Sequence, residues 1–121
     1  MKAIISIAQT GAIFQVVEKQ LAAARHGRSP DFHLSFESAR ALFSDLTPAR
    51  LDLLHTLRAV GPCSVYALAK ASERNYSNVH TDVSRLEELG LVERSEDSDS
   101  VCVPFDAIEI LFPLAQVARA R

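Results

Sequence analysis

The sequence lacks the features that identify several classes of protein. It has two cysteines, Cys63 and Cys102, which form neither a disulfide framework nor a CxxC motif. Its four glycines are isolated from one another, so there is no glycine-rich loop of the kind that holds a phosphate. Apolar runs are only a few residues long and the N-terminus lacks a signal-peptide pattern, so we expect no transmembrane helix and a cytoplasmic protein.

The ionisable side chains lack the spacing of a catalytic or metal-binding site. Histidine is found at four scattered positions without the spacing of metal ligands: His26, His33, His55 and His80. Glu87 and Glu88 are adjacent, and neighbours one residue apart do not face each other on a helix. We therefore expect no catalytic residue, no metal, no cofactor and no enzyme activity.

The sequence also lacks an excess of positive charge, since its net charge is −2. This excludes binding that depends on a large overall excess of positive charge, but it leaves local basic patches open. Residues 40–85 hold six basic and four acidic side chains, whereas residues 86–109 hold eight acidic side chains against one basic residue, Arg94. A polyanion would therefore prefer the first of these stretches.

The first part of the chain alternates between strand and helix patterns. Hydrophobic residues make up 48% of the sequence and charged residues 23%, as in an ordinary soluble globular protein. Alternating β-branched and aromatic residues predict strands over residues 2–8 and 32–36, and apolar positions three and four apart predict a helix over residues 13–24 between them. A short helix that ends near Asp45 follows. Residues 1–45 are therefore predicted to form a strand-helix-strand arm.

Three helices and a β-hairpin are predicted in the middle of the chain. The helices cover residues 48–60 after a Thr47-Pro48 start, residues 65–71 after Ser64, and residues 75–89 beginning at Asn75. The first helix continues through Leu51, Leu54, Leu57 and Arg58, and the second helix is expected to turn Val65, Leu68 and Ala69 inward. The hairpin strands are residues 91–94 and 101–105, and a further strand covers residues 107–112.

This order of elements predicts an α+β fold, mainly α, with a winged helix-turn-helix over residues 46–105. Residues 1–45 are expected to serve as an N-terminal β-α-β dimerisation arm, and residues 106–121 as a C-terminal strand and tail. In a winged helix-turn-helix, the third helix is exposed at its N-terminal end and can enter the major groove of DNA.

The third helix divides into two faces at 100° per residue. Val79, Val83 and Leu86 form the buried stripe, with Tyr76 and Leu89 beside it. The outer face carries short polar side chains and two basic residues: Ser77, Asn78, His80, Thr81, Ser84 and Arg85. Such a face suits contacts with base edges and phosphates, although it is also compatible with an ordinary solvated surface. Arg85 has a second interpretation, an ion pair with Glu88 or Asp82 in the same helix.

Three stretches of the sequence resemble MarR-type winged helix-turn-helix regulators of prokaryotes. They are L-T-P-A-R-L-D-L-L-H-T-L, S-V-Y-A-L-A-K, and N-Y-S-N-V-H-T-D-V-S-R-L-E-E-L-G-L-V-E-R. The chain is most similar to a small subgroup of predicted regulators that ends in V-P-(aromatic)-D and F-P-L segments, here residues 103–106 and 112–114.

The resemblance implies sequence-specific binding of double-stranded DNA by a homodimer, usually for repression. The expected DNA-binding residues are Ser64, Arg74, Asn75, Tyr76, Ser77, Asn78, His80, Thr81, Arg85 and Arg94. Some small regulators of this kind act as antitoxins, so a toxin protein is a further expected partner.

The tip of the predicted hairpin departs from the pattern of such regulators. Residues 95–100 carry three carboxylates, which phosphate would repel, where many winged helices have Arg or Lys. Either the hairpin stays off the DNA or Arg94 alone contributes. The acidic tip and the negative net charge favour an alternative function, a protein–protein interaction module without affinity for DNA.

A homodimer is also expected from the apolar residues of the arm and the C-terminal strand. Nine apolar side chains together offer more surface than one subunit readily covers: Ile4, Ile5, Ile7, Phe14, Val17, Leu21, Ile108, Ile110 and Phe112. An exposed strand edge favours pairing with another chain. We therefore expect the interface to form from the arm and the C-terminal strand.

Overall fold

The computed structural model of the chain describes residues 1–7 and 31–114. In chain order the elements are β1 (Lys2–Ile7), β2 (Phe32–Phe36), α1 (Ala39–Asp45), α2 (Pro48–Val60), α3 (Val65–Ser72), α4 (Tyr76–Glu88), β3 (Glu93–Arg94), β4 (Val101–Cys102) and β5 (Ala107–Leu111). The chain divides into two compact units, one made of Met1–Leu42 with Asp106–Arg121 and the other of Phe43–Phe105. The predicted α+β class is confirmed.

The first unit contains a parallel three-stranded sheet in the order β2-β1-β5. Ile5 of β1 lies opposite Leu34 of β2 on one side and Ile110 of β5 on the other. Every residue of β1 from Ala3 to Ile7 is buried. A central strand covered on both faces needs a nearly continuous apolar run, which explains the run of isoleucines in this segment.

The three predicted strands of this unit are confirmed, and their ends lie within one residue of the predicted ends. The C-terminal strand is predicted to lie in a subunit interface. In the structure β5 pairs with β1 of the same chain, so one side of that strand is already occupied. The helix predicted over residues 13–24 and the tail over residues 115–121 lie outside the described part of the chain.

Polar contacts fix the pairing of β1 with β5. The amino group of Met1 donates to Oδ2 of Asp106 at 2.9 Å, and the Asp106 backbone N–H donates to the Met1 carbonyl at 2.9 Å. Lys2 Nζ donates to Glu109 Oε2 at 2.6 Å. These contacts oppose a slip of the register, which would turn every side chain of the strand to the other face.

Helix α2 begins and ends where the sequence predicts. Thr47 Oγ1 accepts a hydrogen bond from the Arg50 backbone N–H at 3.2 Å and so caps the helix. Gly61, with φ of +91°, ends it in a backbone conformation that other residues rarely adopt. The buried residues of α2 are Leu53, Leu54 and Leu57. Leu51, on the same helix, is half-buried.

Helices α3 and α4 bury the stripes that the sequence predicts. Both are capped by the expected side chains, since Ser64 Oγ accepts from the Ala67 N–H at 3.0 Å and Asn75 Oδ1 accepts from the Asn78 N–H at 3.2 Å. The buried residues are Val65, Leu68 and Ala69 in α3 and Val79, Val83 and Leu86 in α4. Between the helices, Glu73 adopts a left-handed conformation with φ of 55°, which turns the chain sharply.

The β-hairpin that follows α4 is shorter than predicted. Strands β3 and β4 have two residues each, with Glu93 opposite Cys102 and Arg94 opposite Val101. The residues flanking the ladder are buried apolar side chains outside the strands, so the core rather than strand pairing accounts for their hydrophobicity: Leu91, Val92, Val103 and Phe105. Cys63 adds a backbone bridge to Val101 on the free side of β4.

Candidate nucleic-acid interface

Helix α4 presents its N-terminal half to solvent. The side chains at this end are all exposed: Asn75, Tyr76, Ser77, Asn78, His80 and Thr81. The opposite face is held in the core by the buried stripe described above. No acidic residue lies in the first turn, and a helix N-terminus carries a partial positive charge. The exposed face from Asn75 to Thr81 is therefore free of carboxylates.

Tyr76 belongs to this exposed face, which corrects its predicted position beside the buried stripe. The residue is 49% exposed. Its ring centroid lies 5.9 Å from that of His80, with the two ring planes tilted by 42°. Tyr76 thus packs on a side chain one turn later at the surface instead of entering the core.

Two residues in the predicted DNA-binding set have capping roles. Ser64 and Asn75 use a side-chain oxygen to satisfy the first turns of α3 and α4. A serine hydroxyl that accepts still has a proton to donate, and the amide nitrogen of Asn75 is not used by the cap. Each cap therefore keeps a donor available at the surface.

Arg85 lies at the far end of the exposed face, and its guanidinium is engaged by carboxylates. Nε and Nη2 donate to the two carboxylate oxygens of Asp45 at 2.8 and 2.7 Å, and Nη1 donates to Glu88 Oε1 at 3.0 Å. The hydrogen bond from Arg85 lowers the pKa of Asp45, and the Asp45 and Glu88 carboxylates raise the pKa of Arg85. The predicted alternative partner Glu88 is confirmed, whereas Asp82 makes no contact with Arg85.

Asp82 instead joins two other arginines. Arg50 Nε donates to Asp82 Oδ1 at 2.8 Å, and Arg74 Nη2 donates to Oδ2 at 2.7 Å. Burial alone would raise the pKa of Asp82, but the hydrogen bonds from the two guanidinium groups outweigh it, and the pKa is lowered. Nη1 of Arg74 is buried without a hydrogen-bond partner among the described residues, so this guanidinium keeps an unused donor.

The basic residue of the hairpin is also balanced by carboxylates. Arg94 donates to Glu87 at 3.2 Å and, from Nη1, to Asp99 at 2.9 Å. The Glu87 carboxylate, together with Asp99, raises the pKa of Arg94. Glu96 and Asp97 are exposed at the tip. The hairpin therefore presents negative charge, as the sequence indicated.

Helix α3 adds two exposed residues that the predicted set omits. Tyr66 is 61% exposed, and Lys70 Nζ lies 5.5 Å from the centroid of its ring. The sequence pattern could have identified both residues, because the predicted inward stripe of α3 leaves them on the outer face. Lys70 makes no ion pair with any residue that the structure describes, so its positive charge is open to an external anion.

A cleft of about 290 Å³ brings the start of α2 beside the middle of α4. Its lining includes the neutral polar residues Ser44, Thr47, Asn78 and Thr81 together with Arg50, Arg74 and Asp82. Two members of the exposed face, Asn78 and Thr81, thus line the same cleft as Arg74. The cleft combines hydrogen-bonding groups with a local positive charge at the edge of the exposed face.

Two other kinds of site are absent from residues 1–7 and 31–114. No three His, Cys, Asp or Glu side chains in those ranges are arranged to hold a metal ion. No helix there is both long enough and apolar enough to cross a membrane.

Comparison with known proteins gives a family match. The family model HVO_A0114 matches residues 45–110, which is more than half of the chain. No curated protein and no solved structure matches. The matched segment contains α2, α3, α4 and the hairpin, and therefore the whole candidate interface.

Proposed function

The chain belongs to the HVO_A0114 family, and from that premise we propose that it is a cytoplasmic, sequence-specific DNA-binding transcriptional regulator. The family match covers residues 45–110, the segment that holds helix α4. In this proposal residues 46–105 act as a winged helix-turn-helix of the MarR type, and α4 is the recognition helix. The protein acts as a homodimer and represses transcription.

The observation that carries the proposal is the carboxylate-free, exposed half of α4. The major groove of B-DNA is about 12 Å wide and admits one α-helix. Phosphates on both sides of the groove repel carboxylates, so a helix that enters it needs neutral or basic side chains at its leading end. The exposed residues from Asn75 to Thr81 meet that condition.

The residues of the interface divide by chemistry. Asn78 and Thr81 are short and neutral and suit base edges, and an Asn side chain can bond adenine at two points. Ser77 and His80 lie beside them. Lys70 is exposed and positively charged, so it suits a phosphate contact. The unused Nη1 donor of Arg74 is buried, so a phosphate contact there would require the side chain to move.

The other arginines have a positioning role in this proposal. Arg85 and Arg94 are each bonded to two carboxylates of the same chain, so contact with phosphate would require exchange of those partners. The number of phosphates neutralised per subunit is therefore small. Weak non-specific binding follows, since non-specific affinity comes mainly from phosphate contacts.

Selection of bound sequences from a random duplex library by the full-length protein tests the proposal. We expect enrichment of a two-fold symmetric site, because a homodimer presents two α4 helices. A salt titration on that site and on an unrelated duplex then measures the electrostatic contribution to the affinity. The logarithm of the binding constant should fall with the logarithm of the salt concentration, with a slope of about 0.9 per phosphate contacted. Asn78→Ala/Thr81→Ala serves as the variant with the interface removed. Failure to enrich any sequence, and no binding to bulk duplex at low salt, would refute the proposal.

A second candidate function is a protein–protein interaction module. It is favoured by the acidic tip at Glu96 and Asp97 and by the pairing of Arg50, Arg74, Arg85 and Arg94 with carboxylates of the same chain. In this alternative the partner is a protein with a basic surface, and the antitoxin version of the hypothesis makes that partner a toxin. Absence of DNA binding at low salt, together with a salt-sensitive complex with a protein partner, would favour this candidate.

A further inference from the structure

Strand β5 forms an edge of the sheet in the first unit. Among the described residues it pairs only with β1, so the backbone groups on its other side are unpaired. Ile110 is 39% exposed, and the apolar residues just beyond the strand, Phe112 and Leu114, are 55% and 77% exposed. An exposed strand edge with apolar side chains is a template for pairing with another chain.

Proteins that stay monomeric usually protect such an edge with charge, proline or a bulge. The one charged residue in β5 is Glu109, and its carboxylate is paired with Lys2 of the neighbouring strand at 2.6 Å. The first proline after the strand is Pro113, which leaves the strand itself free to accept a partner. Within residues 1–7 and 31–114, the β5 edge therefore lacks protection by an unpaired charge, a proline or a bulge.

The opposite edge of the sheet is more covered. β2 carries none of the large exposed hydrophobic side chains, and its last residue, Phe36, is buried. The polar residues Glu37 and Ser38 follow at once, and Ser38 caps α1. Among the described residues of the first unit, the large exposed apolar side chains other than Met1 therefore lie on β5 and just after it.

The sequence of β5 suits pairing with a second copy of itself. In an antiparallel pair, residues opposite each other point to the same face of the sheet. A two-fold axis perpendicular to the sheet must therefore pass between a residue and its own copy. An axis at Glu109 would set two carboxylates against each other, whereas an axis at Ile110 sets isoleucine against isoleucine and Glu109 against Leu111.

We propose that two copies of this chain associate through their β5 strands, antiparallel, with Ile110 facing its own copy across the two-fold axis. This pairing also sets Ile108 opposite Phe112 of the other copy. The two three-stranded sheets then form one continuous sheet, and the exposed residues of each edge are covered by the same residues of the second copy.

The inference deepens the proposed function, since it names the interface of the homodimer, and in that respect it rests on it. Self-association is nevertheless measured without DNA, so the two can fail separately. A protein that pairs through β5 but binds no duplex would remove the regulator proposal alone. A protein that binds a symmetric site but is unaffected by changes in β5 would remove this inference alone.

Cysteine cross-linking tests the register. The test uses a full-length Cys63→Ala/Cys102→Ala background, so that the introduced thiol is the one that reacts. Ile110→Cys then places the two copies of residue 110 directly opposite each other, with their Cα atoms about 4.5–5.5 Å apart, a distance that a disulfide can span. Glu109→Cys is the matched control, because its two copies are offset along the strands beyond the limit of about 7 Å for a disulfide. We expect a disulfide-linked dimer on mild oxidation of Ile110→Cys only. Equal or faster linkage of Glu109→Cys would overturn the register.

A charge substitution tests the interface by a second route. Ile110→Lys places two ammonium groups against each other at the axis, and Val60→Lys makes the same change at a residue that is 50% exposed at the end of α2. In sedimentation velocity at micromolar concentration, we expect dimers of the wild type and of Val60→Lys but monomers of Ile110→Lys, with unchanged circular dichroism. A monomeric wild type, or a folded Ile110→Lys that remains dimeric, would overturn the proposal.

Discussion

Arg85 and Asp45 lie 40 residues apart in the sequence and form a two-point ion pair, with both carboxylate oxygens of Asp45 accepting from the guanidinium at 2.8 and 2.7 Å. The pair joins the end of α1 to the C-terminal half of α4. Planar two-point pairing fixes the orientation of both groups as well as their distance. The C-terminal half of the proposed recognition helix is thereby fixed, while its N-terminal half remains exposed.

Replacement of Arg85 by Ala should therefore reduce the free energy of unfolding by more than it reduces the free energy of binding to a selected DNA site. A lower melting temperature would report the first change. The substitution leaves Asp45 and Glu88 without their shared partner. A double-mutant cycle with Asp45→Ala separates the pair from other effects, since Arg85→Ala should cost little once Asp45 is gone. Loss of DNA affinity at an unchanged melting temperature would instead show that Arg85 contacts DNA.

Asn78→Ala and Thr81→Ala should each weaken binding to a selected site without unfolding the protein. Loss of one good contact with a base edge costs about 1–3 kcal/mol, which is about 5- to 150-fold in affinity. Thr56→Ala, a threonine on α2 outside the interface, is the matched control and should leave affinity unchanged. Fluorescence anisotropy with a labelled duplex makes the comparison, and equal affinities for all three variants would contradict the interface.

Asn75 allows capping and DNA contact to be separated. Asn75→Ala should destabilise the protein by about 1 kcal/mol, whereas Asn75→Ser keeps a capping oxygen and should cost much less. Thermal unfolding of the two variants measures this difference. If both variants lose DNA affinity equally at a temperature where both are folded, the Asn75 amide contacts DNA in addition to capping α4.

The contribution of Asp82 to stability should disappear in acid. The folded protein holds the pKa of Asp82 below its ordinary value of about 3.9, so the folded state binds fewer protons than the unfolded state as the pH falls through that range. The stabilisation is complete above about pH 5 and is lost as the pH falls through the folded pKa. Asp82→Asn should cost about 1–3 kcal/mol at pH 7.

Thermal unfolding of the wild type and Asp82→Asn between pH 7 and pH 2 checks this prediction. The gap between the two melting temperatures should begin to narrow below about pH 4, where the carboxylate of the unfolded chain becomes protonated, and it should continue to narrow as the pH falls through the lowered pKa of the folded protein. A gap that stays constant across the whole range would mean that the ion pairs with Arg50 and Arg74 contribute nothing to folding.

Neutralising the tip of the hairpin should strengthen non-specific binding to DNA. The variant is Glu96→Gln/Asp97→Asn, and Asp99 is left in place because it bonds Arg94 at 2.9 Å. The gain should appear at low salt and shrink near physiological salt, where charges are screened beyond about 8 Å. Glu37→Gln/Asp52→Asn makes the same change in net charge elsewhere. Identical low-salt affinities of this control and the tip variant would place the tip away from the DNA.

Periodicity and capping chemistry predicted most of the local structure. Val79, Val83 and Leu86 repeat at helical spacing, and that spacing alone identifies the buried stripe of α4. Thr47 and Asn75 cap helices because their side-chain oxygens satisfy N–H groups within three residues, which is a local interaction. The prediction that Tyr76 lies beside the buried stripe is wrong because helical spacing gives the angle of a side chain around the helix axis. It does not give how far the core extends along that axis.

The contacts between distant residues could not be predicted in the same way. The spacing rule for helices reveals Glu88 as a partner of Arg85, three residues away, but it carries no information about Asp45. The pairing of β5 with β1 likewise depends on how the chain returns to its first strand. Alternation of side chains predicts that each strand exists, but it does not specify the neighbour or the direction.

The order of the sheet also determines when each unit can fold during synthesis. β1 and β5 are neighbours in space, yet the whole of Phe43–Phe105 is translated between them. Domains generally fold as units while the chain is still being made. The sequence of the helical unit is thus complete before the ribosome reaches β5. In contrast, β1 can pair with β5 only after the helical unit has been synthesised. Premature termination before Asp106 would leave β1 with one partner strand, and two paired strands are only marginally stable in water.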